Sequence, residues 1–182
     1  FRRVLFRSNF DPATISTLDR WTAQNVHAAT ALVAVSNTVA RDIIHTYGIP
    51  PTTVTTAHHG VDHTRFHPHH DKAAIAACRE RHHINCDYVL FVGTVQPRKN
   101  LPCLVEATEK ARARGLGVTL VVAGADGWRS ARPLESIERS GPEVARHIGQ
   151  VGSADLPLLI AGAHVVISVA RDERAEEHTS EL

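Results

Sequence analysis

The chain has 182 residues, 20 Lys and Arg against 19 Asp and Glu, and 43% apolar residues. That length suffices for one full core or parts of two, and a formal net charge of +1 argues against the strong basic excess of a nucleic-acid-binding domain. No apolar run reaches the ~18 residues that a membrane span requires. Cys78, Cys86 and Cys103 lack framework spacing and fit a reducing compartment. The absence of Met reads as an internal segment of a longer protein. FRRVLFRS at residues 1–8 and RAEEHTSEL at residues 174–182 match neither neighbouring pattern. Both resemble translated read-through of sequencing-library adapters, a recurrent contaminant of assembled environmental sequence, and both are set aside from the fold.

Residues 12–29 carry helical spacing, with Ile15, Leu18, Trp21 and Val26 roughly on one face. A short strand is predicted at 31–35. Ser36 then N-caps a helix with the stripe Val39, Ala40, Ile43, Ile44 and Tyr47, ended by Gly48. Pro50 and Pro51 break the chain before a strand at 54–57. A turn follows at 58–62, and 66–70 is a connector. Composition shifts there towards His, Pro and charge, which puts a domain boundary near Pro68. A linker and helix occupy 69–87.

Beyond this the chain alternates strand and helix. Residues 88–100, YVLFVGTVQPRKN, are the most informative stretch. Five apolar residues read as a strand buried on both faces, and Gly93 frees the backbone to turn. A helix over 101–114 follows, capped at Asn100 with Pro102 in its first turn. It buries Leu104, Val105 and Ala111 and carries a Glu106–Lys110 pair. Strands are predicted at 118–123, 144–148 and 164–169, and helices at 130–140 and 154–161. Continuous apolar strands alternating with helices mean a parallel sheet covered on both sides, an α/β Rossmann-like fold. Ligands of such sheets sit beyond the carboxyl ends of the strands. Arg98, Lys99, Gly124, Val151 and Glu173 all follow such ends, so one crevice is expected to gather them.

Arg98 and Lys99 directly precede a helix N-terminus, where the macrodipole favours acidic residues instead. Two cations there break a local rule, as functional sites often do. With the helix N–H groups they suit a dianionic ligand such as a diphosphate. Neither G-x-x-x-x-G-K-[ST] nor G-x-G-x-x-G is present. The bland alternative is a solvated basic turn. Trp128, after a glycine-rich turn, is expected to pack on its own domain. Thirteen histidines raise a metal reading. Cys78, His82 and Cys86 recur every fourth residue, but without C-x2-C or a distant H-x3–5-H partner a structural zinc site is weakly supported.

The motifs AVSNTVARDII, HHGVD-x3-F-x-P, YVLFVGTVQPRKNL, LVVAGADGW and DLPLLIAGAHVVISV stand in the order found in family 4 glycosyltransferases. The chain resembles that family from Asn9 to Glu173. The resemblance implies a GT-B fold, two Rossmann-like domains, of which residues 9–68 are the tail of the acceptor domain. Residues 88–173 are then a truncated donor domain with an incomplete doubly wound parallel sheet. It further implies that Arg98 and Lys99, with Gly93 and Thr94, contact the donor diphosphate, that Val151 lies beside the nucleotide base, and that Glu173 is the first, catalytic glutamate of an E-x7-E motif. This chain departs from the pattern at several positions. Arg174-Ala175-Glu176 replaces Gly-Phe-Gly, and Glu181 lies eight residues after Glu173. Thr94 replaces a frequent arginine, Leu156 a donor-binding lysine and His59 an asparagine.

The resemblance implies a retaining hexosyltransferase using a UDP- or GDP-sugar and a glycan or lipid-linked acceptor. No cofactor, no metal and no nucleic-acid partner are expected, and as a piece of the enzyme the chain is expected to be inactive. The expected location is cytoplasmic, and the acceptor class allows peripheral association with the inner face of a membrane. A sugar-nucleotide epimerase or sugar-phosphate synthase on the same fold is the alternative within enzymes. A histidine-rich metal-binding module without activity is the alternative outside them.

Overall fold

The structure, a computed structural model, describes residues 12–170. The expectations placed on residues 1–8, on Glu173 and on residues 174–182 fall outside them. The chain divides into two compact units between Gly60 and Val61, ahead of the Pro68 position suggested by composition.

The first unit runs α1 (Pro12–Ala28), β1 (Leu32–Ala34), α2 (Asn37–Tyr47), a 3-10 turn (Pro51–Thr53) and β2 (Val54–Thr56). The strands pair in parallel, Leu32 opposite Val54. Ser36 caps α2, its hydroxyl accepting from the Val39 N–H at 3.2 Å. Gly48 ends the helix in the left-handed region at φ 64° and donates to the Ile44 carbonyl at 2.9 Å. Val26, Ala34, Ala40, Ile43 and Ile49 form the core. The proposed α1 stripe is only partly used. Val26 is buried, while Leu18 and Trp21 are exposed, because a two-stranded sheet presents little surface for a long helix to cover.

The second unit contains α3 (Lys72–Arg81), β3 (Asp87–Val92), a 3-10 turn (Pro97–Lys99), α4 (Leu101–Ala113), β4 (Val118–Ala123), α5 (Ala131–Ser140), β5 (Ala145–Gly149), α6 (Asp155–Gly162) and β6 (Val165–Val166). Its sheet has the order β5-β4-β3-β6, with every pairing parallel. β3 is therefore interior, as its apolar run predicts, since a strand with sheet on both edges and helices on both faces has no polar side to offer. Alternate residues feed opposite faces. Phe91, Leu120 and Val122 join Leu101, Leu104 and Val105 of α4 and Ile137 of α5 in one core. Tyr88, Leu90 and Val121 join Cys78 of α3 and Leu159 of α6 in the other. This is a doubly wound sheet built from right-sized crossovers.

Three local expectations are corrected. Asn100 stands at the N-cap position of α4, but in the left-handed conformation (φ 55°) and without a capping hydrogen bond from its side chain. It serves as the pivot between the 3-10 turn and the helix, a role Asn tolerates better than other non-glycine residues. Ala111 is half-buried while Thr108 is buried, its hydroxyl donating to the Leu104 carbonyl at 2.8 Å. The strand expected over 164–169 shortens to Val165–Val166. It lies at the sheet edge with its valines 52% and 49% exposed, although the Ile167 N–H still reaches the Leu90 carbonyl at 2.9 Å.

Tyr88 joins sheet to helix. Its ring is fully buried and its hydroxyl donates to the Leu159 carbonyl at 2.7 Å. A Cβ at Gly162 would fall 2.9 Å from that hydroxyl and 2.8 Å from Ile75 Cγ2, so α6 docks as closely as it does because residue 162 has no side chain. Burial pushes the Tyr88 phenol up from 10.0 to about 12. A neutral phenol held above its unfolded pKa contributes stability that is intact below pH 10.0 and is lost as pH rises through about 12. Tyr88→Phe is expected to remove this alkaline dependence in pH-resolved urea melts. It should also cost about 1–2 kcal/mol at neutral pH by leaving the Leu159 carbonyl unpaired.

Candidate functional site

The carboxyl ends of β3 and β4 are sewn together by backbone. Gly93 leaves β3 at φ 149°, and its N–H donates to the Ala123 carbonyl at 2.9 Å. Val95, fully buried, donates to the Ala125 carbonyl at 2.9 Å, and the Gly127 N–H returns to the Val95 carbonyl at 3.1 Å. A parallel bridge between Val95 and Asp126 completes the seam. The approach demands glycine. A Cβ at Gly124 would lie 2.0 Å from the Gly93 carbonyl oxygen, and one at Gly127 would lie 2.5 Å from Thr94 Cγ2.

Past Gln96 the chain coils through the 3-10 turn Pro97–Lys99. The Lys99 N–H donates to the Gln96 carbonyl at 3.0 Å, and Arg98 Nε donates to Gln96 Oε1 at 3.2 Å. Lys99 folds back, its Cε 3.8 Å from where a Cβ of Gly93 would stand. Both basic residues are half-buried. Gly93, Thr94, Arg98, Lys99 and Gly124 thus gather around the ends of the two central strands, with Thr94 exposed. Half-buried cations above a loop with its backbone turned to the strand ends can hold a polyanion.

Val151 follows β5, whose Gly149 carbonyl accepts from the Gly124 N–H at 2.8 Å. It is half-buried against the Tyr88–Leu159 core. Its loop is held by Arg65, which donates to the Ser153 carbonyl at 2.7 Å. Sequence reasoning missed Gln96, Asp126 and His147. His147 Nε2 donates to the Gly124 carbonyl at 2.7 Å, and its Nδ1 lies 3.7 Å from Asp126 Oδ1. The only available signal was the facing pair of glycine turns, Gly93-Thr94-Val95-Gln96 and Gly124-Ala125-Asp126-Gly127. Trp128, expected to pack inward, is 47% exposed and lies under the Arg129 guanidinium at 4.3 Å. Cation–π stacking stabilises it at the surface.

Among the described residues, one cluster could hold a metal ion, and it is Cys78, His82 and Asp155. The alternative partner Cys86 instead donates its thiol to Thr119 Oγ1 at 3.2 Å. Asp155 accepts from Arg81 at 2.6 Å and faces His82 Nε2 at 2.9 Å. These contacts, Arg81 first, hold its carboxyl below the usual range. The histidines of residues 58–70 form no such cluster among the described residues.

Comparison with known proteins gives a consistent result. Residues 1–65 match the family described as Glycosyltransferase Family 4. The chain is 34% identical over 139 residues to a D-inositol 3-phosphate glycosyltransferase of Kineococcus radiotolerans, covering 68% of this chain and 32% of that protein. It is 33% identical over 85 residues to the O-antigen chain mannosyltransferase B of Escherichia coli, covering 44% and 22%. Among solved structures, Anabaena Alr3699/HepE in complex with UDP and glucose superimposes with a TM-score of 0.74 at 17% identity, over 95% of this chain and 46% of that one. WaaG, a glycosyltransferase involved in lipopolysaccharide biosynthesis, gives 0.63 at 19% identity, over 78% and 38%. The chain spans about a third of the length of the first curated relative. The structural likenesses establish the fold, a partial Rossmann-like GT-B arrangement.

Proposed function

Since this chain belongs to glycosyltransferase family 4, we propose that it is part of a retaining hexosyltransferase that uses a nucleoside-diphosphate sugar. The reading rests most on one observation, the half-buried Lys99 folded over Gly93 at the end of β3. Arg98 and Lys99 bind the donor diphosphate, with Gly93 and Thr94 as the turn that lets it approach. Val151 lies beside the base. Glu173 acts at the transferred sugar. When the bond from the sugar's anomeric carbon to the phosphate oxygen breaks, negative charge grows on the departing diphosphate. Two preorganised cations neutralise it, the electrostatic contribution that usually dominates such catalysis. With that charge met by side chains, transfer requires no metal. The acceptor hydroxyl attacks from the face that the donor leaves and passes its proton to the departing diphosphate oxygen, which retains the anomeric configuration.

A uridine donor is favoured over guanosine, since a structural neighbour is described in complex with UDP-glucose. The acceptor is a glycan or lipid-linked hydroxyl, and the enzyme works in the cytoplasm, at the inner membrane face when the acceptor is lipid-linked. Among the described residues no helix is long and apolar enough to cross a membrane. The chain, which spans about a third of the length of the first curated relative, is inactive alone. The test is turnover by the full-length enzyme with UDP- and GDP-hexoses and simple glycan acceptors, followed by NMR of the anomeric proton. Retention, undiminished when Mg2+ and Mn2+ are withheld, is expected. An inverted product, or turnover that needs either ion, overturns the mechanism.

A further inference from the structure

The crossing of α3 and α6 carries a cluster unused by the proposed chemistry. Cys78 lies in the last turn of α3, and His82 is the residue that caps that helix, four positions on. Opposite them is Asp155, the first residue of α6. Their donor atoms all lie within 4.8 Å of one another. Cys78 is fully buried, with its thiol 3.7 Å from the Asp155 carbonyl. The side chains of His82 and Asp155 are 17% and 21% exposed, so the cluster opens to solvent on their side and is closed at the thiol.

We infer that Cys78, His82 and Asp155 form a three-ligand site for a zinc-class cation that bridges the end of α3 to the start of α6. The donors set the class. One thiolate, one imidazole and one carboxylate suit a borderline-soft, four-coordinate ion, whereas Mg2+ and Ca2+ take oxygen shells. Ligands at ~2.0–2.3 Å from zinc stand roughly 3.3–3.8 Å apart, so the side chains need only small rotamer adjustments. Water fills the fourth position from the exposed side. Arg81, on Asp155 Oδ1 at 2.6 Å, fixes the carboxylate with Oδ2 turned to His82, as outer partners of metal ligands do. Binding replaces the Cys78 proton and the direct His82–Asp155 contact. The site is remote in sequence from Arg98 and Lys99 and supplies no step of the transfer.

An ion-pair latch between Asp155 and its two basic partners is the competing account, and it gives Cys78 no part. The experiment therefore follows the thiol. The full 182-residue chain is freed of metal by a chelator and titrated with Co2+, then with Zn2+ as competitor. A thiolate-to-cobalt charge-transfer band saturating at one equivalent, displaced by Zn2+, is expected, together with a Zn2+-dependent rise in Tm. Cys78→Ser should abolish the band and the rise, and Cys86→Ser should leave both intact. Asp155→Asn, a change at the partly exposed end of the cluster, should weaken Co2+ binding and covers the case in which the buried Cys78 variant fails to fold. Absence of the band overturns the site. So does a band that survives Cys78→Ser or Asp155→Asn at unchanged affinity, or one that Cys86→Ser removes, since the ion would then be held by other thiols or by the histidines of residues 58–70.

Discussion

Replacing Lys99 by alanine in the full-length enzyme is expected to weaken nucleoside diphosphate binding about ten- to a hundredfold while leaving nucleoside binding nearly unchanged. A charge-assisted contact to phosphate contributes about 1.5–3 kcal/mol, and that energy converts to the stated range in affinity. Lys99 Cε stands by the Gly93 bend, and Arg98 Nε donates to Gln96 Oε1 at 3.2 Å at a turn where its guanidinium can be shared between ligand and solvent. Arg98→Ala should act in the same direction and less strongly. Calorimetric titration with UDP, GDP, uridine and guanosine separates the outcomes. Equal losses for nucleoside and nucleoside diphosphate would indicate a folding defect, and no loss for either would remove the diphosphate assignment.

Gly124→Ala is expected to destabilise the second unit by ~3 kcal/mol or more, at the upper end of overpacking costs. The added methyl would sit 2.0 Å from the Gly93 carbonyl oxygen and 2.5 Å from its carbon. Both are backbone atoms, so no side-chain rotation relieves the overlap and β3 and β4 must part at their carboxyl ends. The Gly93 N–H bond to Ala123 lies within that seam, and nucleotide binding should fall with stability. Urea denaturation of the variant checks the first effect. A loss under about 1 kcal/mol would mean that the strand ends separate easily, contrary to their close-packed surroundings. Gly152→Ala, with nothing within 4 Å of its added methyl, is the matched control.

The sequence announced its sheet because residues 88–92 of β3 and 120–123 of β4 are continuous apolar runs, which burial on both faces explains. It announced the Glu106–Lys110 pair, which closes at 2.6 Å, because helical spacing alone brings those side chains together. What stayed hidden was tertiary. The i, i+4, i+8 series Cys78, His82, Cys86 suggested one helical face, but α3 ends at Arg81 and His83 turns to φ 55°. That turn carries Cys86 off the helix face, and Asp155, far along the chain, takes the place opposite Cys78. The short edge strand was hidden for a related reason. Apolar content in 164–169 matches that of β3, and nothing in composition distinguishes an interior strand from one with a neighbour on a single side. Asn100 misled in a different way, since Asn suits both an N-cap and a left-handed pivot.

The strand order has a consequence for the time course of folding. β3 and β4 are joined by one helix and can pair as soon as both exist, whereas Val89 meets Val165 only after α4, β4, α5, β5 and α6 have been made. During synthesis at roughly 5–20 residues per second, the second edge of β3 therefore waits open for several seconds with its hydrogen-bonding groups unpaired. Non-local pairings of this kind form late. Pulse-labelled hydrogen exchange during refolding should show the amide of Gly93, which donates to the Ala123 carbonyl across the β3–β4 seam, protected before those of His164 and Ile167. That interval, more than the finished surface, is when two nascent chains can join edge to edge, and slower elongation would lengthen it.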